Sequence, residues 1–270
     1  MKNHPHKLAA LPSDHGSWVF LLSPLLIGLF ATDSWNRAGW HLILVALAAF
    51  MLRQPASLMV KAYAGRRSRK ILPATRLWFS VYTLVGLFSL IQLIRAGFAF
   101  VLWLAVPGIL VFAWHLWLVS RRAERHRIGV DILASGTLAL AAPAACWVGT
   151  GSPDATGWWL WGLTWFQSAA SIVYAFLRLE QRQMKQIPPL TKKLRLACRA
   201  LTYAGFNLTA VIIGAIAGLF SPYLWAPYTV QFLEVVWGAF RPAVGVKPTR
   251  IGLRQLAVST IFTILFILVW

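Results

Sequence analysis

The chain has 270 residues, of which 59% are hydrophobic and 12% charged, against roughly 25% charged in an ordinary soluble domain. Its formal net charge is +19. That composition excludes a water-soluble globular enzyme, and the placement of the basic residues turns the charge toward membrane topology and away from nucleic-acid binding.

In chain order, apolar blocks fall at about 16–33, 38–53, 77–94, 98–119, 129–149, 157–178, 200–219, 223–240 and 252–270. Blocks of this length approach the roughly 17–25 residues that a helix needs to cross a bilayer. The expected fold is therefore all-α: a polytopic membrane bundle of about nine transmembrane helices, forming one integral domain over residues 1–270. The joins at 94–98 ("RAGF") and 219–223 ("FSPY") are marked by only a few turn residues. Of the 26 Lys and Arg residues, 24 lie at the N-terminus or in segments 53–76, 121–127, 178–199 and 241–254, while Arg37 and Arg95 occupy the alternate loops. This positive-inside pattern predicts a cytoplasmic N-terminus and an external C-terminal Trp270. Membrane lipids are the expected partners, and the oligomeric state is not encoded in any visible pattern.

Near the start, Asp14 is a candidate helix cap before the first span, and His15 stands beside it. No cleavable signal peptide is expected there. Ser23-Pro24 would kink the first span, for helix packing or to open a cavity. The second span is short, so either its helix continues past Arg53 or the bilayer thins. In the first case Arg53 needs a partner, and Pro55 would break or kink the helix beyond it. Cys146 and Cys198 fall near opposite membrane faces, too far apart for a disulfide, and neither has metal-ligand spacing. Tryptophans near span ends, including Trp18, Trp35, Trp40, Trp158, Trp159 and Trp225, fit interfacial belts. Gly205, Gly214 and Gly218 in the seventh span suit close helix packing, and the sequon at Asn207 is buried in that same span.

Two pairs of segments share an offset of 123 positions: "KILPATR" from Lys70 with "KLRLACR" from Lys193, and "RIGVDILAS" from Arg127 with "RIGLRQLAVS" from Arg250. The common offset predicts a duplicated four-helix unit, 16–127 and 129–250, followed by a last helix at 252–270. Such repeats commonly frame a central site.

The candidate site residues are polar groups inside or at the ends of spans. On the sixth span Ser171, Tyr174, Arg178 and Arg182 fall on one helical stripe. Arg178 and Arg182 either end the helix and snorkel to lipid phosphates or bind an anion, with Arg53 and Tyr174 beside them. Lys61, Arg66, Arg67, Arg69 and Lys70 read as a solvated, lipid-facing loop. Glu234 lies seven residues before Arg241, inside the eighth span, where a carboxylate needs a partner. Arg53 or Arg178 is the expected counter-charge, with Gln231 three residues earlier as a hydrogen-bonding neighbour. Glu234 thus serves either a helix-to-helix ion pair or proton and substrate handling. Glu234 and His15 are the candidate catalytic groups if the chain is an enzyme. No metal site, haem-attachment pattern, nucleotide loop or hydrolase motif occurs, and no cofactor is predicted.

The stretch "HGSWVFLLSPLLIGL", with "RQP" after the second span and "RIGLRQLA" at the last, resembles the YwiC-like family of bacterial membrane proteins, which implies no activity. The nine spans, with long cytoplasmic loops after spans two and six, are also similar to UbiA-type intramembrane prenyltransferases. That resemblance implies aspartate-rich, Mg²⁺-binding motifs in those loops. Here segment 53–70 contains no Asp or Glu, and Arg178 and Arg182 stand where aspartates would be expected. Arginines repel the hard cations that carboxylates hold, but bind phosphate or carboxylate directly. The sequence therefore points to a Mg²⁺-independent protein that binds or moves an anionic amphiphile, such as an isoprenoid phosphate, quinone precursor or lipid. The alternatives are a metal-independent transferase of UbiA-like architecture and a non-catalytic assembly or scaffold protein.

Overall fold

The computed structural model describes residues 5–12, 15–32, 35–121 and 128–270. Asp14 lies outside them, as does the side chain of His15, whose backbone opens a 3-10 turn, His15–Trp18. All regular structure among the described residues is helical: α1 (Pro5–Ala10), α2 (Val19–Phe30), α3 (Arg37–Tyr63), α4 (Leu72–Arg95), α5 (Val101–Ser120), α6 (Ile128–Ala139), α7 (Ala141–Thr150), α8 (Ala155–Arg182), α9 (Leu190–Ile216), α10 (Trp225–Phe240) and α11 (Pro248–Val269).

Every expected apolar block forms helix, but among the described residues seven stretches, not nine, are long and apolar enough to cross a membrane alone. The first block yields only Gly16–Phe30. Helix α10 has 16 residues, about 24 Å at 1.5 Å per residue, short of a core of about 30 Å. The second block shows the opposite departure. Its helix does continue past Arg53, running 27 residues with Pro55 inside it. Pro55 does not end the helix.

That extension also corrects the long-loop expectation. Only residues 64–68 separate α3 from the short turn that leads into α4, and only 183–189 separate α8 from α9. The basic residues ride on helix ends: Lys61 closes α3, Arg76 opens α4, and Lys192, Lys193 and Arg195 occupy the first turns of α9. Arg66 donates to the carbonyl of Val119 near the end of α5, so this part of the predicted solvated loop caps a helix. The two soft joins are real turns, with Gly97 at φ 94° and Gly218 at φ 72°. Gly218 thus serves chain reversal, because a left-handed φ costs little only without a Cβ. Gly214 does serve packing, since the ring of Phe220 lies where its Cβ would be.

The fifth block divides at Leu140 into α6 and α7. Pro143 explains the break, having no N–H to offer the carbonyl four residues back. Residues 142–148 of α7 are buried without interruption, as expected for a helix apolar on all sides. It packs against α2, α3 and α8 and, with Leu25, Leu160, Tyr228 and Phe262, forms the centre of the bundle. Helices α4 and α5 leave most of their apolar surface uncovered, the state expected of lipid-facing helices. Helix starts also recur in parallel order: Arg37 with Ala155, Leu72 with Leu190, Val101 with Trp225 and Ile128 with Pro248.

Helix α8 is pinned at its start by Asp154, whose Oδ1 accepts from the Gly157 amide at 3.1 Å and the Trp147 indole at 2.8 Å. The indole lies so close over Gly157 that a Cβ there would meet it. Asp154→Ala should therefore cost about 1–2 kcal/mol and lower the thermal midpoint. Asp154→Asn, which retains an accepting oxygen, should cost less. Thermal unfolding followed by tryptophan fluorescence would check both.

Candidate functional site

Helix α8 carries a seam of polar side chains at spacings of four and three, Gln167, Ser171, Tyr174, Arg178 and Gln181, all buried except the half-buried Ser171. The spacing keeps them on one face. That face meets α10 and α11, and the polar groups pair across the joint. Gln231 on α10 donates to the Gln167 carbonyl and to Ser171 Oγ, both at 3.0 Å. Gln255 on α11 donates to the Ser171 carbonyl at 3.4 Å.

One turn further along, Tyr174 donates to Glu234 Oε1 at 2.8 Å. The same carboxylate takes a bidentate pair from Arg254 on α11, Nε to Oε1 at 2.6 Å and Nη2 to Oε2 at 2.7 Å. Arg254 also lies over the Trp237 ring, 3.5 Å from its centroid. A planar guanidinium suits both contacts, because the fork engages both carboxylate oxygens while its face lies on the indole. Gly238 makes room for Tyr174, whose hydroxyl and ring would meet any Cβ at that position.

Arg178 is 6% exposed. All its hydrogen bonds run through Nη1: to Gln181 Oε1 at 3.0 Å, the Gly238 carbonyl at 3.1 Å and the Arg241 carbonyl at 2.7 Å. The two carbonyls belong to the C-terminal end of α10, where unpaired C=O groups and the helix dipole favour a cation. Gln181 completes the cap, donating to the Gly238 carbonyl at 3.2 Å and accepting from the Ala243 amide at 3.2 Å. Nε and Nη2 of Arg178 make no hydrogen bond among the described residues. The side chain opens on a cavity of about 550 Å³ that is also lined by Tyr174, Glu234, Trp237, Arg250 and Arg254.

The structure thus brings together Tyr174, Arg178 and Glu234, with Gln231 one turn deeper. Four expectations change. The counter-charge of Glu234 is Arg254, not Arg53 or Arg178. Gln231 turns to α8 instead of to Glu234. Arg182 lines a different hollow, between α8 and α9, with Glu180 and Arg199. The reason is angular: at about 100° per residue Gln181 stands about 20° from Tyr174, whereas Arg182 stands about 80° away. Arg53 is on α3, donates to Ser17 Oγ at 3.3 Å and lies over Phe50. It does not line this cavity.

Arg254, Arg250, Gln181 and Trp237 were not singled out by sequence reasoning. The signal for the first two was present, since Arg250 and Arg254 repeat on α11 the four-residue arginine spacing of α8. Basic residues at the start of a span read equally as positive-inside topology.

A helical bundle with seven membrane-length spans among the described residues, and a polar seam where α8 meets α10 and α11, defines a multi-pass membrane protein. The chain belongs to the YwiC-like protein family of bacteria, which it matches over residues 11–146, half of its length. It is 24% identical over 246 residues to the uncharacterized protein YwiC of Bacillus subtilis (strain 168), covering 87% of this chain and 96% of that protein. No solved structure matches the chain, and the UbiA-like architecture is not confirmed.

Proposed function

We propose that this protein binds or moves an anionic amphiphile through the basic mouth between α8, α10 and α11, without Mg²⁺. The observation that carries the reading is Arg178. It is buried, anchored through one nitrogen to the end of α10, and lines an open cavity that also holds Arg250 and Arg254, while its Nε and Nη2 make no hydrogen bond among the described residues. Guanidinium groups donate well to carboxylate and phosphate oxygens, and the low dielectric around a buried arginine strengthens such contacts. The uncovered apolar helices offer hydrocarbon beside the mouth, which suits a ligand with a tail.

In this reading the mouth faces the cytoplasm. The support is the charge pattern, because the basic clusters fall at the ends of α3, α5, α8 and α10 and at the starts of α4, α9 and α11. With all nine apolar segments crossing the bacterial inner membrane, Trp270 lies outside. The parallel order of helix starts supports a duplicated unit that frames the mouth.

Native mass spectrometry of the protein released from its own membrane tests the reading. Wild type should retain an anionic amphiphile, and Arg178→Gln should reduce that adduct at least about tenfold, a factor equivalent to about 1.4 kcal/mol. Arg250→Gln, at an exposed position that leaves the α10 cap intact, should weaken it in the same direction. Identical adducts in all three proteins would sink the proposal.

A further inference from the structure

The charged side chains that line the cavity are Arg178, Arg250, Arg254 and Glu234. Their formal sum is two positive charges. Glu234 is already committed to Arg254 through both oxygens and to Tyr174, so it neutralises one arginine and leaves two cationic equivalents for a guest. An adjoining hollow shares Arg250 and adds Lys247, and no acidic side chain is among the described residues that line it. Helix α9, which also packs on α10, contributes no described side chain to this cavity.

Resting on the anion-binding reading above, we infer that the cavity recognises a dianionic phosphomonoester headgroup, in preference to a phosphodiester or carboxylate carrying one negative charge. A phosphomonoester carries about −1.5 to −2 charges near neutral pH and three acceptor oxygens. The unpartnered Nε–H and Nη2–H of Arg178 form a two-donor edge suited to two of those oxygens. Arg250, which lines the same cavity, can serve the third. A monoanion would leave one cationic equivalent uncompensated in a partly desolvated site, where unpaired charge is costly. Glu234 is a specificity-determining residue here. By occupying Arg254 it sets the net charge at two instead of three, and its removal would shift the match toward anions of higher charge.

A phosphomonoester can come from a lipid, as in phosphatidic acid or a polyprenyl monophosphate, or from solution. The experiment measures binding of dioctanoyl phosphatidic acid, dioctanoyl phosphatidylglycerol and inorganic phosphate to detergent-solubilised wild type, Arg250→Gln and Glu234→Gln at neutral pH. The expected result is at least about tenfold tighter binding of phosphatidic acid than of phosphatidylglycerol in wild type. That ratio should shrink in Arg250→Gln, which lowers the pocket to one charge. In Glu234→Gln, which raises the pocket to three charges, the preference for phosphatidic acid should persist or widen. Equal binding of the two lipids in wild type, with both weakened in Arg250→Gln, would overturn the dianion inference while leaving the anion site standing. Binding of neither lipid would overturn both. Inorganic phosphate binding as tightly as phosphatidic acid would uphold the headgroup and remove the amphiphile.

Discussion

Arg178→Ala should destabilise the protein by about 2–4 kcal/mol, the cost of leaving buried hydrogen-bonding groups without partners. The substitution removes the cation from the end of α10 and strips one donor from each of the Gly238 and Arg241 carbonyls and from Gln181. Gln181 still reaches the Gly238 carbonyl and the Ala243 amide, so the turn after α10 should loosen without melting outright. Arg178→Lys should recover part of the loss, since an ammonium can still serve the carbonyls. It should not recover ligand retention, because a lysine has no second pair of N–H groups to offer while its first is engaged. Thermal unfolding in detergent, run beside ligand retention, separates the two roles. If Arg178→Lys restored both in parallel, the free edge of the guanidinium would have no function of its own.

The same residue shows how far sequence carried and where it stopped. Apolar block lengths and the placement of Lys and Arg were enough for the all-helical membrane bundle, and the soft joins at Gly97 and Gly218 were correctly placed. Block length measured hydrophobicity, however, and not helix length. Polar helical ends, as on α3 beyond Arg53 and α9 before Ala197, carry no apolar signal, so they read as loops. Residue types also suggested that Glu234 needs an arginine, but with 26 basic residues nothing local identified Arg254, twenty positions away in sequence and on a different helix. The four-residue spacing that put Arg178 and Arg182 on one stripe was correct over a single turn. Over two turns, the 3.6-residue period favours Gln181, and the seam follows it.

The polar seam also bears on why the protein would keep it. A bundle held by apolar packing alone would lose little by replacing Gln167, Ser171 and Gln231 with small hydrophobic residues, because hydrogen bonds between membrane helices contribute only about 0.6 kcal/mol on average. Here they form one group, Gln167, Ser171 and Gln231, that stands one turn from a second, Tyr174, Glu234 and Arg254. A void of about 20 Å³ between Ser171, Tyr174, Gln231, Glu234 and Gln255 is large enough for one water molecule, which needs about 10–15 Å³ and several polar partners. The seam therefore fixes the rotation of α8 against α10 and α11, and that rotation is what aims Arg178 into the cavity.

At the centre of the bundle, Gly28→Leu should be the more damaging change for folding. The ideal Cβ of residue 28 falls against the carbonyl of Ala142, with the Ala142 carbonyl carbon and Cα both at 2.9 Å. Those are backbone atoms in a helix buried on every side, so no side chain can swing away to relieve the contact. Even Gly28→Ala forces α2 and α7 apart, at about 1–3 kcal/mol for overpacking. The leucine adds three more carbons at the same point and should exceed that range. Association of membrane helices rests on close van der Waals approach, so separating this pair loosens the contact that α7 uses to organise α3 and α8 around it. The expected result is a lower thermal midpoint for Gly28→Ala and little folded protein for Gly28→Leu. Gly108→Ala, where nothing lies within 4 Å of the built Cβ, should behave as wild type. Equal yields and midpoints for all three variants would mean that α2 and α7 are not in contact in the membrane.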